Sequence, residues 1–334
     1  MTSKRKKVTM AEIAAAASVS KATVSRALAG SHLIGKEVRE EIEAVARSLG
    51  YVRRPVRRHG ERCILTVKLV LPPVKSRTAR LFFSLTDLVM GLREGLSPAG
   101  VNVLVEIGGE NYQPFPHKKG GEVEVFVFAF HRPTEEVQEQ IQERGARVVV
   151  LNRELDGVQQ VLHHHEQAMG LIAGHLADRN AEGRSCFVTY AGIEEVSASR
   201  LKGFADAAAR LGLDFDRERD LWLLEKPEEM TSEDIRARIQ GGVQNFVGVN
   251  DVAGALLLQH TREIGLRVPE EVRITGCDNA EVRGVTVPLL TTVDLSMNAL
   301  ALEAGRAMYA ELIDGEEARE RKLVSGELLV GETT

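Results

Sequence analysis

Lys21, Ala22, Ser25 and Arg26 are spaced so that one helix turns all four to the same side, opposite Val24, Ala27 and Leu28. A lysine and an arginine on such a face can donate to guanine O6 and N7, and the alanine offers an apolar contact to a thymine methyl. The chemistry available is the reading of base edges. A second group of polar residues, Asn152, Asn250, Asp251 and Asp278, closes apolar runs that read as strands. Amide and carboxylate groups at such ends can accept from and donate to sugar hydroxyls, and ligands of open parallel sheets collect outside the carboxyl ends of the strands. Asp251 and Asp278 are equally placed to cap the helix or turn that follows each of them.

The first group sits in a run of three short helices. Thr9 and Glu12 form the T-M-A-E capping box that opens the first, with Met10, Ile13, Ala14 and Ala17 on one apolar face. After a break at Ser18 and Val19, Ser20 is the N-cap of the second helix. A third helix is expected from about Lys36 to Leu49, with Val38, Ile42, Val45, Ala46 and Leu49 as its buried stripe and Gly50 as its stop. Two helices joined by a tight turn and followed by a third form a helix-turn-helix layout, which places one helix in the major groove of DNA. Charge supports the same division. Residues 1–62 hold 14 Lys and Arg against 6 Asp and Glu, or +8, and the remainder holds 29 against 42, or −13, which together give the net −5. A basic head binds polyanions by releasing counterions, and an acidic body stays off the duplex.

The body alternates apolar runs, at 63–72, 101–107, 123–130, 146–152, 185–192, 244–250 and 272–279, with amphipathic segments such as PTEEVQEQIQERG, EQAMGLIAGHLADRN and DVAGALLLQHTREIG. Repeated strand-helix units imply parallel sheets with helices on both faces, and 334 residues with 43% hydrophobic content allow two such lobes after the head. No apolar run reaches the roughly 18 residues of a membrane span, and MTSKRKKVTM lacks the apolar core of a signal peptide, so a cytoplasmic protein is expected. Cys63, Cys186 and Cys277 are odd in number and far apart, which indicates neither a disulfide framework nor a zinc site. His163, His164 and His165 point in divergent directions and have no partner at metal-ligand spacing, so they read as a loop or strand-end run. No cofactor is expected.

The stretch VSKATVSRAL, preceded by VTMAEIAAAA and followed by a third helix ending in LGY, resembles the head of the LacI/GalR family of transcriptional regulators, and the resemblance extends more weakly over nearly the whole chain. It implies an all-α helix-turn-helix head on a two-lobed, periplasmic-binding-protein-like α/β body. It also implies that Thr9, Ser20, Ser25 and Tyr51 hold phosphates, which fix register without reading sequence. SRLKGFADA is similar to the family's R-x-x-G-F stretch, which implies that Arg200 points into an effector cleft, while on a helix an arginine also serves as a surface or salt-bridge residue. VNDVAG matches the N-D pair, TGCDN the G-x-D segment, and LLTTVDLSM at 289–297 the crossover back to the first lobe. Phe82 and Phe83 match an F-F pair, of which one faces a ligand or both pack in the core.

Three departures stand out. His164 occupies a place where the family commonly has Asp, which alters the cleft or makes it sensitive to pH. The segment after LGY is VRRPVRRHGER, with Gly60 where a leucine wedge is usual, so Arg57 and Arg58 are expected to straddle or enter the minor groove instead. Between the strands at 101–107 and 123–130 the family has a helix, whereas GGENYQPFPHKKGGE has the composition of a loop.

These readings divide the chain into a DNA-binding head (1–51), a hinge (52–62) and an effector-binding body (63–334), with a first lobe of about 63–161 and 293–321 and a second of about 162–290 and 322–334. The expected function is a homodimeric regulator on a near-palindromic operator, in the repressor sense, controlled by a small-molecule effector between the lobes, a carbohydrate or derivative being the resembled family's usual class with purines also occurring, through Phe82, Asn152, His164, Arg200, Asn250, Asp251 and Asp278. The alternative is a two-lobed solute-binding protein without a transcriptional role. An enzyme has no positive sign, because no phosphate loop, nucleophile elbow or metal spacing is present.

Overall fold

The computed structural model describes residues 9–28, 34–49, 51, 64–73, 84–97, 99–114, 123–179, 183–316 and 321–334; the side chains of Ala22, Ser25, Arg26, Lys36, Ile64 and Val123 lie outside that description. The head is built from α1 (Met10–Ala16), α2 (Lys21–Leu28) and α3 (Lys36–Ser48). The capping box forms: the Glu12 carboxylate accepts the Thr9 N–H at 2.7 Å, and the Thr9 hydroxyl oxygen faces the Glu12 N–H. Ser18, at φ 56°, makes the turn, and Ser20 opens α2 by accepting the Thr23 N–H at 3.0 Å. The three helices meet over Ile13, Val24, Ala27, Ile42 and Ala46, all buried, with Tyr51 packed against the cluster. The expected α3 stripe is wider than this core. Val38 and Leu49 are 40% and 39% exposed, because two short partner helices cover only the Ile42 and Ala46 side of α3. Gly50 lies outside the described residues.

The body runs β1 (Ile64–Leu71), α4 (Leu85–Gly95), β2 (Gly100–Ile107), β3 (Val123–Ala129), α5 (Glu135–Glu143), β4 (Arg147–Leu151), β5 (Gln159–His163), α6 (His165–Asp178), β6 (Arg184–Tyr190) and α7 (Glu194–Leu211). It continues with α8 (Arg217–Asp220), β7 (Leu221–Leu224), α9 (Ser232–Gln240), β8 (Val243–Gly248), α10 (Asp251–Glu263), β9 (Arg273–Thr275), β10 (Thr292–Asp294), α11 (Met297–Tyr309), β11 (Arg321–Val324) and β12 (Glu327–Leu329). The chain divides into two compact units, one of residues 1–73, 88–162 and 301–322 and the other of 74–87, 163–300 and 323–334.

The first unit carries a six-stranded sheet in the order β11-β5-β4-β3-β1-β2, and the second a four-stranded sheet in the order β7-β6-β8-β9. Neighbouring strands from β1 to β5 and from β6 to β9 run parallel. The apolar runs of β1, β3, β4, β6 and β8 are continuous rather than alternating because both faces of the sheet are covered there, whereas β2, at the edge of its sheet, alternates and leaves Val105 and Ile107 exposed.

Five strands escaped the sequence reading. β5 begins with two glutamines, β7 is four residues squeezed behind α8, and β10, β11 and β12 are three or four residues long. Short strands carry too little periodicity to be recognised.

Between β2 and β3, residues 108–114 hold no helix, in keeping with the loop composition, and 115–122 lie outside the described residues. Beside this loop the sheet carries an ionic cluster. Lys68 on β1 is 1% exposed and lies 2.9 Å from Glu124 and 3.6 Å from Glu106, with its ammonium over the Phe126 ring at 4.8 Å. The Tyr112 hydroxyl donates to Glu106, and burial, reinforced by that carboxylate, pushes the phenol well above its ordinary value.

Candidate functional site

The second unit assembles its polar residues at the carboxyl ends of β6, β8 and β9. Arg200 comes from α7, which packs so closely on α6 that a side chain on Gly203 would overlap the backbone of Glu166. That close approach gives the R-x-x-G-F stretch its physical sense. Gly203 lets α7 settle on α6, Phe204 anchors it in the core against Phe187 and Phe215, and Arg200, one turn earlier, is delivered to the strand ends.

The guanidinium is 3% exposed and nearly saturated. Its Nε–H donates to His165 Nδ1 at 3.2 Å, Nη1 to the Val249 carbonyl at 2.6 Å and to Asp278 Oδ2 at 3.3 Å, and Nη2 to Asp278 Oδ1. Burial alone would depress the guanidinium, but Asp278 opposite it more than offsets that and holds it above its ordinary value. Burial raises the Asp278 carboxyl and Arg200 counters part of the rise. The two form a bidentate, charge-assisted pair. Asp278 and Asn279 hold φ at 113° and 54°, so this pair sits on a loop in a conformation that few side chains adopt.

Asn250 is buried with both ends of its amide engaged. Its Oδ1 accepts the Ala253 N–H at 3.0 Å as the N-cap of α10, and its Nδ2 donates to the Tyr190 hydroxyl. Asp251 is 0% exposed. Oδ2 accepts the Ala280 N–H at 2.7 Å, Oδ1 accepts the Thr292 hydroxyl at 2.5 Å, and its own N–H donates to the Cys277 carbonyl at 2.8 Å. A side chain on Gly276 would overlap the Asp251 carboxylate, which accounts for the glycine in TGCDN. Burial, then the charge of Asp278, pushes the Asp251 carboxyl up to about 7.

The histidine run is split by the junction of β5 and α6. His164 is the residue before α6, its N–H donating to the Val324 carbonyl at 2.8 Å, whereas its neighbours face the arginine. His165 accepts from Arg200, and His163, in edge contact with His165 at 5.9 Å, is pushed down to about 3 by burial and by Arg200, against a hydrogen bond to the Ser296 backbone. Sequence reasoning singled out His164 and missed these two. The available signal was the two-residue spacing, which returns 163 and 165 to one side of an extended chain. Tyr190, the last residue of β6, was missed as a partner of Asn250.

Burial of neutral His163 has a measurable consequence. Its unfolded-state value is the higher one, so protons bind the unfolded chain more as pH falls below about 6.5, and stability is lost in that direction. Asp251 works oppositely, since its folded-state value is raised and the native state gains stability as pH falls below about 7. His163→Gln removes the first effect alone. Between pH 6.5 and 5 the variant is expected to gain about 1.5 kcal/mol relative to the wild type in urea unfolding. A difference independent of pH would refute the assignment of a neutral His163.

In the first unit, Asn152 directly follows β4, at φ 55°, and donates its N–H to the Val161 carbonyl at 2.8 Å. Phe82, Arg57 and Arg58 lie outside the described residues, as do the side chains of Ala22, Ser25 and Arg26. In the head, Lys21 is exposed at the start of α2. The Thr9 and Ser20 hydroxyls are engaged in caps, and Tyr51 donates its N–H to the Ala46 carbonyl at 2.9 Å. No group of three or more His, Cys, Asp and Glu is placed to hold a metal among the described residues.

A basic helix-turn-helix head on a two-lobed body of parallel sheets defines a DNA-binding regulator rather than a free solute-binding protein. Residues 9–54 match the family described as bacterial regulatory proteins, lacI family, and residues 173–334 match the periplasmic binding protein-like domain. The chain is 26% identical to the HTH-type transcriptional regulator CelR of Thermobifida fusca, covering 96% of each chain. It is 25% identical to the regulator AscG of Escherichia coli, also over 96% of each, and 25% identical to catabolite control protein A of Priestia megaterium over 90% of this chain and 91% of that one. Among solved structures, a CelR–cellobiose complex superposes with a TM-score of 0.61 at 21% identity, over 98% of this chain and all of the other. The lac repressor dimer bound to operator and an anti-inducer gives 0.58 at 16%, over 98% and 99%, and at these identities the likeness shows the fold. The chain carries a lacI-family head and is a helix-turn-helix transcriptional regulator, similar over nearly its whole length to LacI-family regulators.

Proposed function

We propose that the protein is a repressor that binds a near-palindromic operator as a homodimer and releases it when a small neutral carbohydrate binds at the Arg200–Asp278 rim. The observation that carries the effector reading is the Arg200–Asp278 pair itself. Its charges cancel, which disfavours an anionic ligand, while donors and acceptors stay at the carboxyl ends of the strands, where hydroxyl groups are recognised. The CelR structure, whose fold this chain shares, is a complex with cellobiose. Residues 1–51, 52–62 and 63–334 serve as head, hinge and sensor. No helix among the described residues is long and apolar enough to cross a membrane, and the reading places the protein in the cytoplasm without catalytic activity or cofactor.

Lys21, Ala22 and Arg26 are the base readers in this proposal, Thr9, Ser20, Ser25 and Tyr51 face phosphates, and Arg57 and Arg58 meet the minor groove. Gel shifts with genomic fragments against excess competitor, and thermal shifts with mono- and disaccharides including cellobiose, test the two halves. A single fragment held tightly and released by the sugar that raises Tm supports both. Arg26→Ala is expected to weaken operator binding by about 1–3 kcal/mol and to relax preference at one position per half-site. An equal loss on every sequence would reassign Arg26 to phosphate.

A further inference from the structure

Asp251 was a natural candidate for ligand contact, yet none of its surface is exposed and both carboxylate oxygens are spent inside the protein. What they hold is informative. Oδ2 accepts from the backbone N–H of Ala280 at 2.7 Å, two residues beyond Asp278 on the loop that carries both positive-φ residues. Oδ1 accepts from Thr292 at 2.5 Å, the first residue of β10. The same loop is tied to β10 by its backbone, since Gly276 donates to the Thr291 carbonyl and Asp278 to the Val293 carbonyl, both at 2.9 Å. β10 is followed within three residues by α11 (Met297–Tyr309), whose later part belongs to the first compact unit. One carboxylate thus clasps the start of α10, the loop bearing Asp278, and the strand through which the chain returns to the other unit.

We propose that Asp251 is a positioning residue, not a ligand contact: it holds Asp278 in register with Arg200 and ties that pair to β10, so that a change at the rim is felt by the segment leading out of the second unit. This inference rests on the effector reading for its functional half only. An uncapped loop at φ 113° and 54° has several cheaper conformations available, and the clasp selects the one in which both Asp278 oxygens meet the guanidinium. The excluded volume at Gly276 shows that the site is built around this carboxylate.

Three variants of the full chain test it: Asp251→Ala, Asp251→Asn and Thr292→Val. Asparagine can keep the geometry without charge, its Oδ1 accepting from Ala280 and its Nδ2 donating to the Thr292 oxygen. Amide hydrogen exchange, read without any ligand, is expected to quicken by about tenfold or more at 276–280 and 291–294 in Asp251→Ala, to stay near wild type in Asp251→Asn, and to quicken only at 291–294 in Thr292→Val. Faster exchange spread evenly over α6, α7 and β6 would mean a general structural role and overturn the proposal. With cellobiose as the probe, Asp251→Ala is expected to bind about tenfold or more weakly and Asp251→Asn within about threefold of wild type. Equal loss in both variants with unchanged exchange would make Asp251 a ligand contact and overturn it as well. If cellobiose fails to bind the wild type, the choice of that sugar falls, while the exchange measurement still decides the role of Asp251.

Discussion

Arg200→Met is expected to lower the stability of the second unit by about 3–5 kcal/mol and to abolish any effect of sugar on operator binding. The stability loss follows from what is left behind, an Asp278 carboxylate only 13% exposed and without its counter-ion, and breaking a largely buried pair by removing one partner costs about that much. The nearby Asp251 charge adds to the cost. Removing both charges together should be far milder, because the gain from a buried pair is largely cancelled by its desolvation. The double variant Arg200→Met/Asp278→Asn is therefore expected to recover most of the stability in urea unfolding while remaining deaf to sugar, and a double-mutant cycle reports the coupling. Operator affinity without sugar should stay within a few tenths of a kcal/mol of wild type, since neither residue is among the operator contacts proposed for the head. Loss of sugar response in the double variant, with stability restored, separates recognition from folding. A double variant that still responds would remove Arg200 from the effector site.

The head was the most legible part of the chain because its signals are local. Thr9 and Glu12 three residues apart, Ser20 before Thr23, and apolar residues at helical spacing each act within one or two turns, and each forms the contact its spacing implies. Val38 and Leu49 were misjudged because periodicity tells which residues share a face of α3, while the width of the face that is covered depends on neighbours distant in sequence. The long strands were legible for the same local reason, and β5, β7, β10, β11 and β12 were not, since their pairing is supplied by other strands.

The rim was half legible. Strand ends pointed to Asn250, Asp251 and Asp278, but nothing in their order distinguishes a residue that faces a ligand from one whose oxygens are consumed by the backbone, as at Asp251. The histidine run shows the limit most clearly. Departure from a family pattern drew the eye to His164, whereas the structure sets His165 and His163 against Arg200, an outcome decided by where β5 ends and α6 begins, a boundary that a sequence locates only to within a few residues.

Lys68→Met is the second large effect expected, and it concerns the sheet of the first unit. Lys68 lies on β1, between the two neighbouring strands that carry Glu106 and Glu124, with Leu104 and Phe126 directly opposite it. Its ammonium is the charge that balances the buried Glu124 at 2.9 Å, and Glu106 also takes the Tyr112 hydroxyl from the loop that stands in place of a helix. Methionine keeps most of the volume and none of the charge, so the expected cost is about 3–5 kcal/mol for the stranded carboxylates. The companion variant Lys68→Met/Glu124→Met places two apolar side chains on a face already lined by Phe126 and Phe128. It should return to within about 1 kcal/mol of wild type or exceed it, as buried pairs replaced by apolar residues of similar size often do. Urea unfolding followed in the first unit distinguishes the outcomes. If the single variant costs less than about 1 kcal/mol, solvent must reach the two glutamates, and the loop between β2 and β3 would then not seal this face in the way a crossover helix does.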